Sequence, residues 1–371
     1  MDRQQLRALA GNLLSWLRPI LAIALAFLLS SVFILSQGVS PLAAYAALMK
    51  GAFGSLAGLA NTGVKTAPLL LAGLGVAVGL KGGLFNVGAE GQLYLAALAA
   101  TTVGLMDLPV PAWLHLTLAI VAGFFAGALW ALIPALLRAY RGVNEFVVTL
   151  MLNYVGIQLV SYFLHGPLRQ VPAPYVQSPP ILESARLPIL IKGTSLHLGL
   201  LLGLILSVVL HYALRDTSFG FQTRILGTNP EAARYIGVNI KRQIVLVMML
   251  SGGLAGLAGV GEILGLKWRL FDFFDLMLGY DAIGVALLAN ANPLGVVLVS
   301  LFFGALRAGA NNMQQMVGVE TALATVIQSL AVVFVIGIGF AGKSRPVGGE
   351  HERQAVSPAI AGDEGPAHSG K

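Results

Sequence analysis

Cysteine is absent from the 371 residues of this chain. That excludes disulfides, zinc–thiolate sites and iron–sulfur clusters. Charge is scarce too. Asp, Glu, Lys and Arg together make up 11% of the residues, where a soluble domain carries about a quarter. What fills the space is apolar: 57% of residues are hydrophobic, and 45 are glycine. A core of this size cannot hide that much apolar surface from water. The class is an all-α, polytopic membrane helical bundle, and the glycine excess suits helices that approach closely. The net charge of +7 does not point to nucleic acid, because the basic residues are scattered over loops, where they set topology. Arg3, Arg7 and Arg18 precede an apolar run near Ile20 to Leu35 that reads as an uncleaved anchor.

A helix needs about 20 apolar residues to cross a bilayer. Runs of that order occur near 19–36, 63–82, 84–105, 113–137, 144–165, 196–213, 243–264, 274–290, 294–310 and 319–341, with a weaker stretch at 40–60. About ten transmembrane helices are expected. With the N-terminus inside, 15 of the 23 Lys and Arg fall on inside segments and eight on outside ones. That bias predicts that both termini are cytoplasmic. The expected organisation is a cytoplasmic N-terminus at 1–18, a membrane domain at 19–342 and a disordered cytoplasmic tail at 343–371. The longest outside loop, 166–195, carries Pro167, Pro172, Pro174, Pro179, Pro180 and Pro188, so it is extended and semi-rigid.

Three blocks recur in order. GAEGQLYLAALAA (88–100) pairs with GYDAIGVALLANA (279–291), FFAGALWA (124–131) with FFGALRAG (302–309), and GVNEFVVTLMLN (142–153) with GVETALATVIQS (318–329). They fall five spans apart, so the second copy is inverted and the bundle reads as two inverted five-helix repeats. Such repeats typify transporters, with the path at the interface between halves. Within the first copy, GGLFNVGAEGQ (82–92) sets polar residues amid apolar ones. Two readings stand. In one, glycines break the helix and Asn86, Glu90 and Gln92 face an internal path. In the other, the stretch is a tight turn and Glu90 sits at a helix N-terminus, stabilised by its dipole. Asn144, Glu145, Asn153 and Asp281 complete the path candidates, with Glu320 as the repeat partner of Glu145 and a dipole role preferred for it. The GxxxG spacings Gly75/Gly79, Gly123/Gly127 and Gly252/Gly256 read as packing seams.

The longest inside loop, 214–242, contains a short helix signal. Thr228 and Glu231 form a capping-box spacing, Pro230 suits the first turn and Gly237 suits the stop. The helix is expected at 230–236, with Asn229, Ala232, Ala233, Arg234 and Tyr235 belonging to the same element. Two capped turns between spans are too little for a domain and suit a lever that a partner grips.

GGLFNVGAEGQ, GTNPEAARYIGVNI with the following SGGLAGLAGVGE, and GYDAIGVALLANANPLGVVLVSLFFGALRAG together resemble permease subunits of bacterial ABC importers. The branch is that of the ribose and branched-chain amino acid permeases, and the pattern is most similar to nucleoside and simple-sugar permeases. The resemblance covers roughly 60–342. It implies a dimer of identical or homologous permeases in the bacterial inner membrane, cytoplasmic ATP-binding subunits and an extracytoplasmic substrate-binding protein. It also implies that residues 228–237 form the coupling helix, and that ATP and Mg²⁺ belong to the partner ATPase and not to this chain.

GIGFAGKS (337–344) matches a phosphate-binding loop literally. It is rejected, because it follows a membrane span and runs into Arg345-Pro346 with no strand before it. Asp272, Asp275 and Asp281 evoke a Mg²⁺-dependent membrane enzyme, but a second carboxylate cluster is missing. No catalytic residue, metal site or resident cofactor is expected. The alternative to the importer is a proton- or sodium-coupled carrier, using Glu90, Glu145 or Asp281.

Overall fold

The computed structural model describes residues 21–274 and 277–341. The expectations for 1–18, for the tail 343–371, for Asp275 and for the end of GIGFAGKS lie outside the described residues. Helices α1 (Leu21–Ser36) and α2 (Pro41–Phe53) form a pair bent by 114° at a short break. Then come α3 (Leu56–Lys81), α4 (Ala89–Gly104), α5 (Ala112–Arg141) and α6 (Glu145–His165). A loop with one 3₁₀ turn, Glu183–Ala185, leads to α7 (Gly199–Asp216), α8 (Ser218–Thr228) and α9 (Pro230–Tyr235). α10 (Ile240–Gly261) runs on as a π-helical stretch, Glu262–Lys267. α11 (Leu278–Leu288), α12 (Pro293–Val317) and α13 (Ala322–Ala341) complete the order. Among the described residues there is no strand. Six helices are long and apolar enough to cross a membrane, or seven if the bent pair counts as one span.

Local chemistry sets the boundaries. The side chains of Ser55, Asn144, Thr217, Asn229, Asn239 and Asn292 each accept a backbone N–H at the start of a helix, satisfying donors that the helix itself leaves orphaned. Gly142 and Gly318, which occupy matching positions in the two recurring blocks, end α5 and α12 with φ of +68° and +74°.

α3 and α10 run through the middle. In their apolar windows 89% and 72% of residues are buried, against 28% for α5 and α7, which expose leucines, valines and aromatics along their outer faces. α10 packs against α3, α4 and α5, while α3 packs against α10, α11 and α12. The seams are glycine. Gly75 lies against the Ser251 carbonyl and Gly127 against the Gly252 carbonyl, each so close that a Cβ would sit 2.5 Å from the oxygen. Backbones thereby meet directly, and van der Waals contact replaces the hydrophobic drive that is missing inside lipid.

Three boundaries differ from the sequence expectation. Ser55 starts α3 seven residues before the expected 63, so Lys65 lies inside the helix. α4 and α11 are shorter than the expected 84–105 and 274–290. At 16 and 11 residues they extend about 24 Å and 17 Å, too little to cross a 30 Å core alone. The expected capping box is replaced. Asn229 caps α9, and the Thr228 hydroxyl donates back to the Arg224 and Ile225 carbonyls at the end of α8. With two capping residues adjacent, the one whose neighbour still belongs to the preceding helix is taken up by that helix. The 40–60 stretch is the helix α2 and the start of α3. The proline-rich loop is tied down by backbone bonds from Ser178 to Leu270, Ile181 to Trp268, Leu182 to Gly104 and Leu187 to Leu264.

Candidate functional site

After α3 ends, residues 82–88 turn back into the bundle. Gly83 takes φ +70°, a conformation that glycine adopts without a Cβ penalty. The segment is then held at three points. The Phe85 N–H donates to Glu145 Oε1 (3.2 Å), and Glu145 also pairs with Arg138 at 3.2 Å. Asn86 Nδ2 donates to Ser251 Oγ (2.8 Å) and to Gln92 Oε1 (2.9 Å), while Gln92 Nε2 returns a bond to Asn86 Oδ1 (2.9 Å). Ser251 in turn donates to the Gly75 carbonyl, 2.7 Å. This ring of bonds joins the turn to both central helices. Its members are at most 1% exposed. An unpartnered polar group is costly in an interior this apolar, and each side chain of this ring has a partner.

α4 and α11 start at the same place. Gly279 lies directly on the backbone of Ala89 and Glu90, where any Cβ would overlap Glu90. The fully buried Glu90 carboxylate accepts the Met277 N–H (2.9 Å) and the Gly279 N–H (2.6 Å). It therefore caps α11 from the first turn of α4, and the positive ends of two helix dipoles converge on one carboxylate. Asn153 on α6 completes the joint. Its Oδ1 accepts the Gly91 N–H (2.8 Å), and its Nδ2 donates to the Val87 carbonyl (2.9 Å) and to Tyr280 Oη (3.1 Å). The segment that leads into α11 is latched as well. Lys267 pairs with Glu262 (3.3 Å) and donates to the Phe274 carbonyl (2.6 Å), and the Phe274 ring meets Tyr94 at 4.7 Å.

Of the seven path candidates, four meet at this joint: Asn86, Glu90, Gln92 and Asn153. Glu145 braces its turn. Asn144 is the exposed cap of α6, bonded to the Phe146 N–H at 2.9 Å. Asp281 stands apart on α11, paired with Arg307 of α12. Glu320 is exposed just before α13. Ser251, Tyr280 and the Glu262–Lys267 pair were not singled out in the sequence. For Lys267 one signal exists: GLKGGLF (79–85) and GLKWRLF (265–271) match at five of seven positions. The first stretch overlaps the end of α3 and the second the π-helical end of α10, and in the second five more residues precede the following glycine.

The loop expected to be a lever is two helices. α8 is tied to α10 by Gln243 Nε2, which donates to Thr223 Oγ (2.8 Å) and to the Phe219 carbonyl (3.3 Å). At its far end Gly227 lies on the Lys81 carbonyl and on Gly83, backbone to backbone. α9 follows, with Asn229 Oδ1 accepting the N–H groups of Glu231 and Ala232, each at 3.0 Å. Gly237, at φ +83°, lets the chain leave. Ala233 is buried beneath, and Tyr235 is 91% exposed beside the half-exposed Ile236. A hollow of about 470 Å³ opens alongside, between the α7–α8 junction with Arg215 and Arg224 and the end of α9 at Ile236 to Val238. An exposed aromatic ring on a capped helix, next to an open hollow lined by Arg224 and the Arg215–Asp216 pair, suits docking of a partner. Contact is continuous from Tyr235 through α9 and Gly227 to the turn at Gly83, and from there to Asn86, Glu90 and α11.

The family described as "Branched-chain amino acid transport system / permease component" matches residues 58–336. A glucose ABC transporter permease protein of Haloferax volcanii is 37% identical over 328 residues, covering 86% of each chain. A guanosine ABC transporter permease protein of Bacillus subtilis is 33% identical, covering 85% of this chain and 92% of the relative. A nucleoside ABC transporter permease protein of Lactococcus lactis is 29% identical, covering 87% and 90%.

Proposed function

Because this chain belongs to the family of branched-chain amino acid transport system permease components, we propose that it forms the solute path of an ABC importer for nucleosides or simple sugars. It is a multi-pass membrane transport subunit and not an enzyme. ATP is hydrolysed on separate ATP-binding subunits. The nucleoside and sugar assignment is supported by the substrates named for the three relatives. The secondary-carrier alternative gives way to family membership.

The contacts support the following division into working parts. α8 and α9 are the lever and face the cytoplasm. Both termini lie on that side, and the bias of Lys and Arg supports this orientation. Two permeases, identical or homologous, enclose the path in the cell membrane, and a binding protein delivers solute from outside. When the ATP-binding subunits close, they carry Tyr235 and α9 with them. Gly227 then presses on Gly83, and the turn at 82–88 shifts the joint where α4 and α11 begin. Two short helices that meet at a buried polar joint are the element with two arrangements that a switch requires. The matching GLKxxLF stretches and the matched helix-ending glycines support the reading of two repeats, with α3–α6 related to α10–α13.

The observation that carries this reading is the backbone contact between Gly227 and Gly83, which couples an exposed capped helix to a buried joint without a flexible link. The test is uptake of labelled inosine and D-glucose by vesicles holding the assembled complex. Uptake should require ATP and persist with a protonophore. The charge-swapped lever Glu231→Arg with Arg234→Glu should abolish uptake while ATP hydrolysis continues. Uptake that collapses with the protonophore while ATP remains, or a charge-swapped lever that transports normally, defeats the reading.

A further inference from the structure

The far end of α3 carries a second feature. Its first turns meet the C-terminal end of α2 and the last turns of α12 around an open hollow of about 360 Å³. α3 has 26 residues and is therefore about 39 Å long, so this hollow and the Gly83 contact lie a bilayer apart. Glycine shapes the hollow. A side chain at Gly51 would run into Asn312, and one at Gly58 would run into the Gly51 carbonyl. The helix ends meet backbone to backbone, and the space beside them stays open. Asn312 is committed to this packing, since its Nδ2 donates to the Ala47 carbonyl at 2.6 Å. Ser55 is committed as well, its Oγ accepting the Gly58 N–H at 3.0 Å. Among the described residues, the side chains of Lys50, Asn61, Asn311 and Gln315 line the hollow without a hydrogen-bond or ion-pair partner.

Three carboxamides and one rim ammonium face this space, and no acidic side chain lines it. A carboxamide both donates and accepts, as a hydroxyl does. The volume lies at the lower end of the range for small-molecule sites, about 300–1,000 Å³. Four residues further along, Lys65 follows Asn61 on α3, and Arg307 precedes Asn311 on α12, so both lie on the same helix faces. Arg307 is paired with Asp281. The polar strip therefore runs from the hollow along α3 and α12 to the Arg307–Asp281 pair on α11. We propose that this hollow is an entry subsite for an uncharged, hydroxyl-rich solute, bound by Asn61, Asn311 and Gln315 and with Lys50 at its rim. The proposal rests on the transport reading, and the test separates the two.

The chain has no cysteine, so a single introduced thiol is the only one it carries, and labelling is read on this chain's own band. Ala57 is exposed and lines the hollow. In the assembled complex in membrane vesicles, Ala57→Cys is reacted with a membrane-impermeant maleimide. Inosine and D-glucose should slow its labelling severalfold, whereas inosine monophosphate and gluconate should not, and a control thiol at the exposed Lys192 should be unaffected. In parallel, Asn61→Leu with Asn311→Leu should raise the KM for uptake about tenfold, the effect of losing roughly one net hydrogen bond, with kcat held within about twofold. Labelling that no probe slows, or that the anionic probes slow equally, overturns the subsite. So does an unchanged KM in the double variant. Loss of ATP-driven uptake in the unaltered complex instead sinks the transport reading, and labelling protected by inosine without uptake would uphold the subsite alone.

Discussion

Asn153 accepts one backbone N–H from the start of α4 and donates to the Val87 carbonyl and to Tyr280. Asn153→Leu keeps the side chain's approximate size and leaves buried backbone groups without partners, at about 1–3 kcal/mol each. The thermal midpoint of the purified chain in detergent should fall by several degrees, and an unchanged midpoint would remove Asn153 from the joint. His197 offers a test in pH. It lies just before α7, buried against Gly199 and Gly265, and its Nδ1 accepts the Gly199 N–H at 3.2 Å. Burial pushes its imidazole from 6.5 down to about 4, because the charged ring would lose its hydration. The unfolded chain binds a proton here below pH 6.5, and the folded chain does so only near pH 4. Stability contributed by the neutral ring is therefore complete above about 6.5 and is lost as pH falls toward 4. Melting curves across that window should be steeper in pH for the native chain than for His197→Phe. Equal slopes would place the ring in water.

Among the elements, α8 and α9 carry the sharpest consequences. Gly227→Val drives a side chain into the Lys81 carbonyl and the Gly83 backbone, parting the lever from its turn. Uptake should drop by at least roughly tenfold, a change of about 1.4 kcal/mol in the coupled step, while ATP hydrolysis by the partner continues. Uptake at the native rate would show that force takes another route. Asn229→Ala removes the acceptor for two N–H groups, and a lost cap costs about 0.5–2 kcal/mol. Trypsin should then cut after Arg234 faster than in the native chain, and equal rates would refute the cap. These elements also show what a sequence reveals. The helix break at 82–88 was legible because glycines and polar residues interrupt an apolar run. The stop at Gly237 was legible because glycine tolerates positive φ. The cap at Asn229 was hidden by the neighbouring Thr228, which is equally able to cap, and only the length of α8 decides between them. The early start of α3 was hidden because Ser55 lies in a stretch of small residues with little periodic signal.

For the molecule as a whole, composition alone fixes a membrane bundle, and three motif blocks carry the family. Long-range pairing is not in composition. That Glu90 caps α11, almost 190 residues onward, and that Ser251 bonds both Asn86 and Gly75, depends on how α3 and α10 cross. A serine in an apolar span gives no sign of such a role. The GLKxxLF match is hard to see in the sequence because its second stretch spaces the following glycine differently. The proposed reading is of a chain in which a cytoplasmic peg, gripped by a separate ATP-hydrolysing partner, bears on a buried joint between two short helices. The most direct test of that claim is the sidedness of Tyr235, which is 91% exposed at the end of α9. In the naturally cysteine-free chain, Tyr235→Cys is treated with a membrane-impermeant thiol reagent, in intact cells and in inverted membrane vesicles. The account predicts labelling in inverted vesicles only, suppressed when the ATP-binding subunits are bound. Labelling from outside intact cells would contradict it.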